Sequence, residues 1–264
     1  MYFVCFVCDS LFMNRLAIID WGIGGISIYK LVRERLGVPV TYFSDTGVKP
    51  YGKMSLPELV ARLNLVIPNL KDRGVTHLVI GCNAASTVIP YLDDQGIKIE
   101  GMIETAVAET LRHKPTKLGL IGGRRTVISG VYRRVFAANG VKVTQRIAQP
   151  LSALIESGDT SSEAVRVAAR RILAPIRNCS HILLACTHYP AILPLITGLV
   201  SSETTFIDPA SELVNIISRW QIERGDGDVF LTSGDKKEMK KAAKAAFGVT
   251  IGRSVKIAVE LPNR

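Results

Sequence analysis

Two cysteines sit in matching surroundings in the two halves of the chain. Val79-Ile-Gly-Cys82 and Leu183-Leu-Ala-Cys186 each close a short apolar run with a thiol, and polar residues follow both. Cys82 precedes Asn83-Ala84-Ala85-Ser86, which can open a helix, and the positive end of a helix dipole favours a thiolate. Cys186 opens Cys186-Thr187-His188-Tyr189-Pro190, so a hydroxyl and an imidazole lie within two residues of the sulfur. A free thiol, with a pKa of about 8.5, is only a few per cent ionised near neutrality. A histidine or a carboxylate beside it could manage the proton that ionisation releases. One cysteine in such a run is most simply a small buried apolar residue. Two at equivalent strand ends point instead to a cleft with a reactive thiol on either wall.

Other chemistries explain less of the pattern. Cys179-Ser-His181 and Cys186-Thr-His188 together look like a ligand cluster, but residues 181–185 read as a strand. At a rise of about 3.3 Å per residue, Cys179 and Cys186 would lie about 20 Å apart, whereas zinc brings its sulfurs within ~4 Å. No metal is expected. Asp20-Trp-Gly-Ile-Gly-Gly25 resembles part of a dinucleotide fingerprint, with Asp45 as the acid, but Ser27 stands where the third glycine or alanine belongs. Cys5 and Cys8 form a C-x-x-C without the second pair a metal site would need. A Cys–His hydrolase on Cys186 and His188 leaves Cys82 unexplained, and alternate residues at a strand end need not face each other.

Positioning the thiols falls to short apolar runs that alternate with helical stretches, the pattern of an α/β protein with mainly parallel sheets. Strands are expected at 15–20, 39–44, 76–81, 117–122, 141–145, 180–185 and 228–232, with a weaker one at 254–259. Helices are expected at 25–36, 57–72, 104–112, 127–138, 162–176, 209–222 and 235–246. Ala17-Ile-Ile-Asp20 and Leu118-Gly-Leu-Ile-Gly-Gly123 both run into glycine-rich turns, so the cysteine repeat belongs to a coarser duplication. The expected architecture is two similar α/β domains facing across a central cleft. The first takes residues 13–106 plus 212–264, and the second 107–211. Open α/β sheets bind ligands at the carboxyl ends of their strands, where both thiols would lie.

Composition sets the outer bounds. With 264 residues, 47% apolar and 21% charged, the chain can bury a core that needs no disulfide or metal, and extended disorder is excluded. Five cysteines are an odd number, and free thiols in a reducing cytoplasm are the simplest reading. The net charge of +10 favours anionic partners without choosing among them. Lys236, Lys237, Lys240, Lys241 and Lys244 share a helix with alanines and read as a solvated face, so nucleic acid is not expected as a partner. Residues 1–12 are apolar but lack a basic n-region and a cleavage site, and fall far short of the about 20 apolar residues that span a membrane. They read as an N-terminal extension whose deletion leaves folding and activity unchanged. No membrane partner is expected.

Several segments, taken in order, carry a family resemblance. They are Asp20-x-Gly-x-Gly-Gly25, Asp45-Thr46 with Pro50-Tyr51-Gly52, and Cys82-Asn83-x-Ala85-Ser86. Thr126 with Ser129 and Tyr132, Pro150 with Glu156-x-Gly158, and Cys186-Thr187-His188-Tyr189-Pro190 complete the set. Together they resemble the glutamate racemases of the aspartate/glutamate racemase superfamily. The resemblance implies two α/β domains around a cleft, with the C-terminal segment returning to the first. It implies cofactor-independent interconversion of L- and D-glutamate, supplying D-glutamate for peptidoglycan. Cys82 and Cys186 would then be the acid–base groups on opposite faces of Cα, one thiolate and one thiol, exchanging roles with direction. Asp20 would assist Cys82, while His188, with Glu156 nearby, would assist Cys186. Asn83, Thr187 and the backbone of Pro50-Tyr51-Gly52 would hold a small anionic amino-acid substrate, with Trp21, Ala84 and Thr126 beside them. A homodimer is compatible with the family, although no interface signature is visible.

Three positions depart from the family pattern. Trp21 stands where a serine is usual, and Ala84 and Gly123 each replace a threonine, the latter followed by Arg124-Arg125. At about 0.5–1.5 kcal/mol per net hydrogen bond, three lost hydroxyls amount to about 1.5–4.5 kcal/mol. That is roughly tenfold to a thousandfold in affinity, enough to change the substrate. Trp21 could stack on a ligand, and Arg124 or Arg125 could restore anion contacts. Otherwise Trp21 turns into the core and both arginines face solvent. Two alternatives stay open: the same two-cysteine chemistry on aspartate or another small carboxylate, and a non-catalytic binding homologue that kept the cleft. A decarboxylase relative would typically need only one of the cysteines.

Overall fold

A computed structural model describes residues 15–222, 224 and 227–259. Residues 1–12, with Cys5 and Cys8, lie outside the described residues. Among the described residues ten strands form two sheets. One takes β1 (Leu16–Asp20), β2 (Val40–Ser44), β3 (His77–Ile80) and β4 (Lys98–Gly101). The other takes β5 (Leu118–Gly122), β6 (Val143–Ile147), β7 (His181–Ala185) and β8 (Thr205–Ile207). The chain then returns to the first sheet with β9 (Val229–Thr232) and β10 (Ser254–Lys256). Strand order is β10-β9-β2-β1-β3-β4 in one sheet and β6-β5-β7-β8 in the other, and every pairing is parallel.

The α/β reading holds because both faces of the central strands are buried. In β1, Leu16 and Ile18 enter one apolar cluster while Ala17 and Ile19 enter another. In β7, Ile182 and Leu184 part in the same way from Leu183 and Ala185. Side chains alternate across a strand, so burial on both faces produces the unbroken apolar runs seen in the sequence. Parallel register gathers the carboxyl ends: Asp20 pairs with Ser44, Ile19 with Ile80, and Gly122 with Ala185.

Helices begin and end where local chemistry directs. The helix Leu56–Lys71 opens on a capping box in which Ser55 and Glu58 satisfy each other's backbone amides. The helix Lys236–Phe247, capped by Asp235, buries Met239, Ala242 and Ala243 and exposes Lys236, Lys237, Lys241 and Lys244. That is the solvated face expected. The single helix expected at 127–138 is instead two, Arg124–Ile128 and Val131–Ala138, divided at Gly130 with φ +68°. The strand expected at 141–145 lies two residues later, as β6. Elements outside the sequence expectation include β4, β8 and the helices Gln149–Glu156 and Leu193–Thr197. The two strands are short, half-exposed sheet edges, so neither makes an apolar run. Among the described residues no helix is long and apolar enough to cross a membrane.

Candidate active site

The carboxyl edges of both sheets open onto one cavity of about 480 Å³. Asp20 ends β1, Cys82 lies two residues past β3, and Cys186 lies one residue past β7. All thirteen residues singled out as catalytic or substrate-binding line this cavity.

Cys82 caps the one-turn helix Asn83–Ser86, and Ser86 N donates to its carbonyl oxygen at 2.8 Å. The helix-terminus argument for an easily ionised thiol is corrected here. Burial pushes the Cys82 thiol well above its ordinary value, and the neighbouring Asp20 carboxylate adds to the effect. The Ala85 amide pulls the other way, but one helical turn is too little to prevail. Asp20 is itself buried, which raises its pKa against the pull of His188, Thr187 and Cys82. Its two oxygens accept from Trp21 N at 2.6 Å and from Thr187 Oγ1 at 2.7 Å. Thr187 thus ties the end of β1 to the loop after β7.

Cys186 meets a different environment. Its Sγ lies 3.6 Å from His188 Nδ1, and His188 Nε2 lies 2.7 Å from Glu156 Oε2. The same Glu156 oxygen accepts from Ile23 N at 2.9 Å. Burial opposes charge on His188, but its hydrogen bonds to Cys186 and Glu156 outweigh that and hold its pKa well above the usual imidazole range. The expectation that residues 186 and 188 need not face each other is also corrected. β7 ends at Ala185 and the chain turns through 186–188, so strand alternation no longer applies.

The glycine-rich turn after β1 earns its composition from close packing. A Cβ on Gly24 would stand 2.5 Å from Thr187 Oγ1, 2.6 Å from His188 Nδ1 and 2.7 Å from Asp20 Oδ2. Asn83 and Thr126 present polar atoms of another kind. Tyr132 OH donates to Asn83 Oδ1 at 2.6 Å, while buried Asn83 Nδ2 and Thr126 Oγ1 have no hydrogen-bond partner among the described residues. A buried polar atom left unpaired costs about 1–3 kcal/mol, so both are suited to a ligand's carboxylate or amino group. Pro50-Tyr51-Gly52 is held from behind. Asp45 accepts from Tyr51 OH at 2.6 Å, from Ser233 Oγ at 2.6 Å, and from Arg62 Nε and Nη2 at 2.8 and 2.6 Å.

The departures resolve individually. Trp21 lines the cavity half-buried, its Nε1 donating to Val48 O at 3.0 Å. Neither arginine lines it, which corrects the suggestion that they restore anion contacts there. Arg124 is exposed, and half-buried Arg125 donates to Thr87 Oγ1 and Met54 O, both at 3.1 Å. Sequence reasoning missed Gln149, Ser152 and Ala153, which with Glu156 line the cavity from one face of the helix Gln149–Glu156. Pro150 in the first turn and the Leu151/Ile155 pair were the available signals for that helix. Among the described residues no group of three or more His, Cys, Asp or Glu side chains could hold a metal ion.

Comparison with known proteins bears on the same residues. Residues 29–217 match the Asp/Glu/Hydantoin racemase family. The chain is 32% identical over 220 residues to a glutamate racemase from Desulforudis audaxviator (strain MP104C), covering 80% of this chain and 81% of the relative. It is 34% identical over 203 residues to a glutamate racemase from Synechococcus sp. (strain CC9605), covering 74% and 75%. A glutamate racemase from Thermus thermophilus, solved in complex with β-chloro-D-alanine, superposes with a TM-score of 0.82 at 25% identity, covering 94% of this chain and 98% of that one.

Proposed function

Because the chain belongs to the Asp/Glu/Hydantoin racemase family, we propose that it interconverts L- and D-glutamate by proton transfer between Cα and two thiols. The observation that carries this reading is the pair of cysteines in one cavity, each with its own acid–base partner. Cα–H of an amino acid is a weak acid, so its removal needs an aligned base and stabilisation of the negative charge that develops. Inversion needs a second acid on the opposite face.

The surroundings distribute the resting proton. Cys186 lies against an imidazole that favours its cationic form, a setting that stabilises a thiolate. Cys82, half-buried beside Asp20, holds its proton. One enantiomer therefore gives its Cα proton to the Cys186 thiolate while the Cys82 thiol delivers its own to the opposite face. The protein is then left with the thiolate on Cys82, the form that acts on the other enantiomer. Asp20 and the His188–Glu156 pair accommodate the two charge states. Asn83 Nδ2, Thr126 Oγ1 and the Pro50-Tyr51-Gly52 backbone orient the substrate's carboxylate and amino groups. The two sheets would mark two domains, 13–106 plus 212–264 and 107–211, in a cytoplasmic enzyme that supplies D-glutamate for peptidoglycan.

A second reading keeps the thiol chemistry but changes the side chain to that of aspartate or another small carboxylate. Trp21, Ala84 and Gly123 favour it, since all three line the cavity where hydroxyls are usual. Loss of the Cα proton signal by NMR in D₂O, followed over L- and D-glutamate and aspartate, decides between them. Exchange with glutamate supports the main reading. Exchange with aspartate alone supports the second, and a ligand-induced thermal shift with no exchange on any of them would sink both.

A further inference from the structure

Cys186 touches one polar side chain to which neither the family resemblance nor the acid–base argument gives a role. Ser152 Oγ lies 3.5 Å from Cys186 Sγ and donates to Tyr189 OH at 3.3 Å. Both residues are buried, and Ser152 lines the cavity. Burial, with the Cys186 sulfur nearby, keeps the Tyr189 phenol protonated far beyond neutral pH. Cys186, Ser152 and Tyr189 therefore form a chain of groups, each able to donate and to accept.

Resting on the two-cysteine reading of this cavity, we propose that Ser152, backed by Tyr189, is a positioning residue whose hydroxyl turns with the proton on Cys186. With the thiol present, S–H donates to Ser152 Oγ and Ser152 O–H to Tyr189 Oη. Loss of the thiol proton leaves the sulfur only an acceptor, and Ser152 O–H rotates to point at the thiolate while Tyr189 O–H turns to Ser152 Oγ. No proton leaves either hydroxyl, and no group besides Cys186 changes charge. Cys186 thus gains a donor for its anion that costs no reorganisation of backbone. Cys82 has an acidic neighbour instead, so the two thiols are supported by different means.

The charged and titratable groups that face Cys186 are His188 at 3.6 Å, Glu156 behind it, Tyr189, and Cys82 across the cavity. Ser152 differs from all of them in not titrating, so its removal changes donor number alone. The test is the pH dependence of iodoacetamide alkylation, read separately at Cys82 and Cys186 by peptide mass spectrometry. A lost charge-assisted hydrogen bond corresponds to about a tenfold loss of thiolate at a given pH. Ser152→Ala should therefore raise the Cys186 alkylation midpoint by about one pH unit and leave that of Cys82 in place. Ser152→Thr, which keeps the hydroxyl, should restore the midpoint, and Tyr189→Phe should move it in the same direction as Ser152→Ala. An unmoved Cys186 midpoint in folded Ser152→Ala and Tyr189→Phe, or an equal shift at Cys82, overturns the proposal. The readout needs no turnover, so failure to racemise glutamate would overturn the functional reading and leave this result standing.

Discussion

The same side chain is placed twice in this cavity and given opposite electrostatic neighbours. Cys82 faces a carboxylate, which with burial holds it as a thiol, whereas Cys186 faces an imidazole held in its cationic range. Replacing either with serine removes a proton-transfer group of the right acidity. Cys82→Ser and Cys186→Ser should each lower kcat by about 10³-fold or more in both directions, as measured by polarimetry. His188 also leaves a mark on stability. Its folded pKa lies above its unfolded one, so its contribution is complete below about pH 6.5 and is lost as pH rises through the folded value. The urea midpoint should therefore fall as pH rises above about 6.5, and Glu156→Gln should reduce that fall. At this scale the sequence disclosed both thiols, because each ends an apolar run. Ser152 stayed hidden, since only its position on a short helix brings it to the sulfur.

Elements place these residues by ending in register. β1 and β3 deliver Asp20 and Cys82 to one edge, and β5 and β7 deliver Gly123 and Cys186 to another. The central strands were legible because burial on both faces makes them uniformly apolar. β4 and β8 were not, because sheet edges need little apolar surface. The loop carrying Pro50-Tyr51-Gly52 depends on Asp45, which gathers Tyr51, Arg62 and Ser233 from three separate parts of the chain. Removing that carboxylate strands Arg62 in a largely buried position. Asp45→Ala should cost about 3–5 kcal/mol in urea unfolding and raise KM more than it lowers kcat. Gly24→Ala tests the close packing of the other turn. Its Cβ would displace Thr187, His188 or Asp20, so activity should be lost while far-UV circular dichroism stays native.

For the molecule as a whole, two parallel sheets set a cavity between their carboxyl edges, which the coarse internal repeat already suggested. The +10 charge agrees with an anionic substrate but is far more than one substrate requires; on the helix Lys236–Phe247, Lys236, Lys237, Lys241 and Lys244 meet solvent, while half-buried Lys240 donates to Gly252 O. A ligand bound between two sheets stabilises the fold by mass action. Glutamate at about 100 times its Kd should add about 2.7 kcal/mol, seen as a rise in Tm that Cys82→Ser retains. The central claim, that different thiols remove and return the proton, is tested most directly by following L-glutamate in D₂O through its first few per cent of conversion. Two bases predict D-glutamate deuterated at Cα while the remaining L-glutamate keeps its protium. D-glutamate that retains protium, or L-glutamate that exchanges before any inversion, would contradict the two-thiol account.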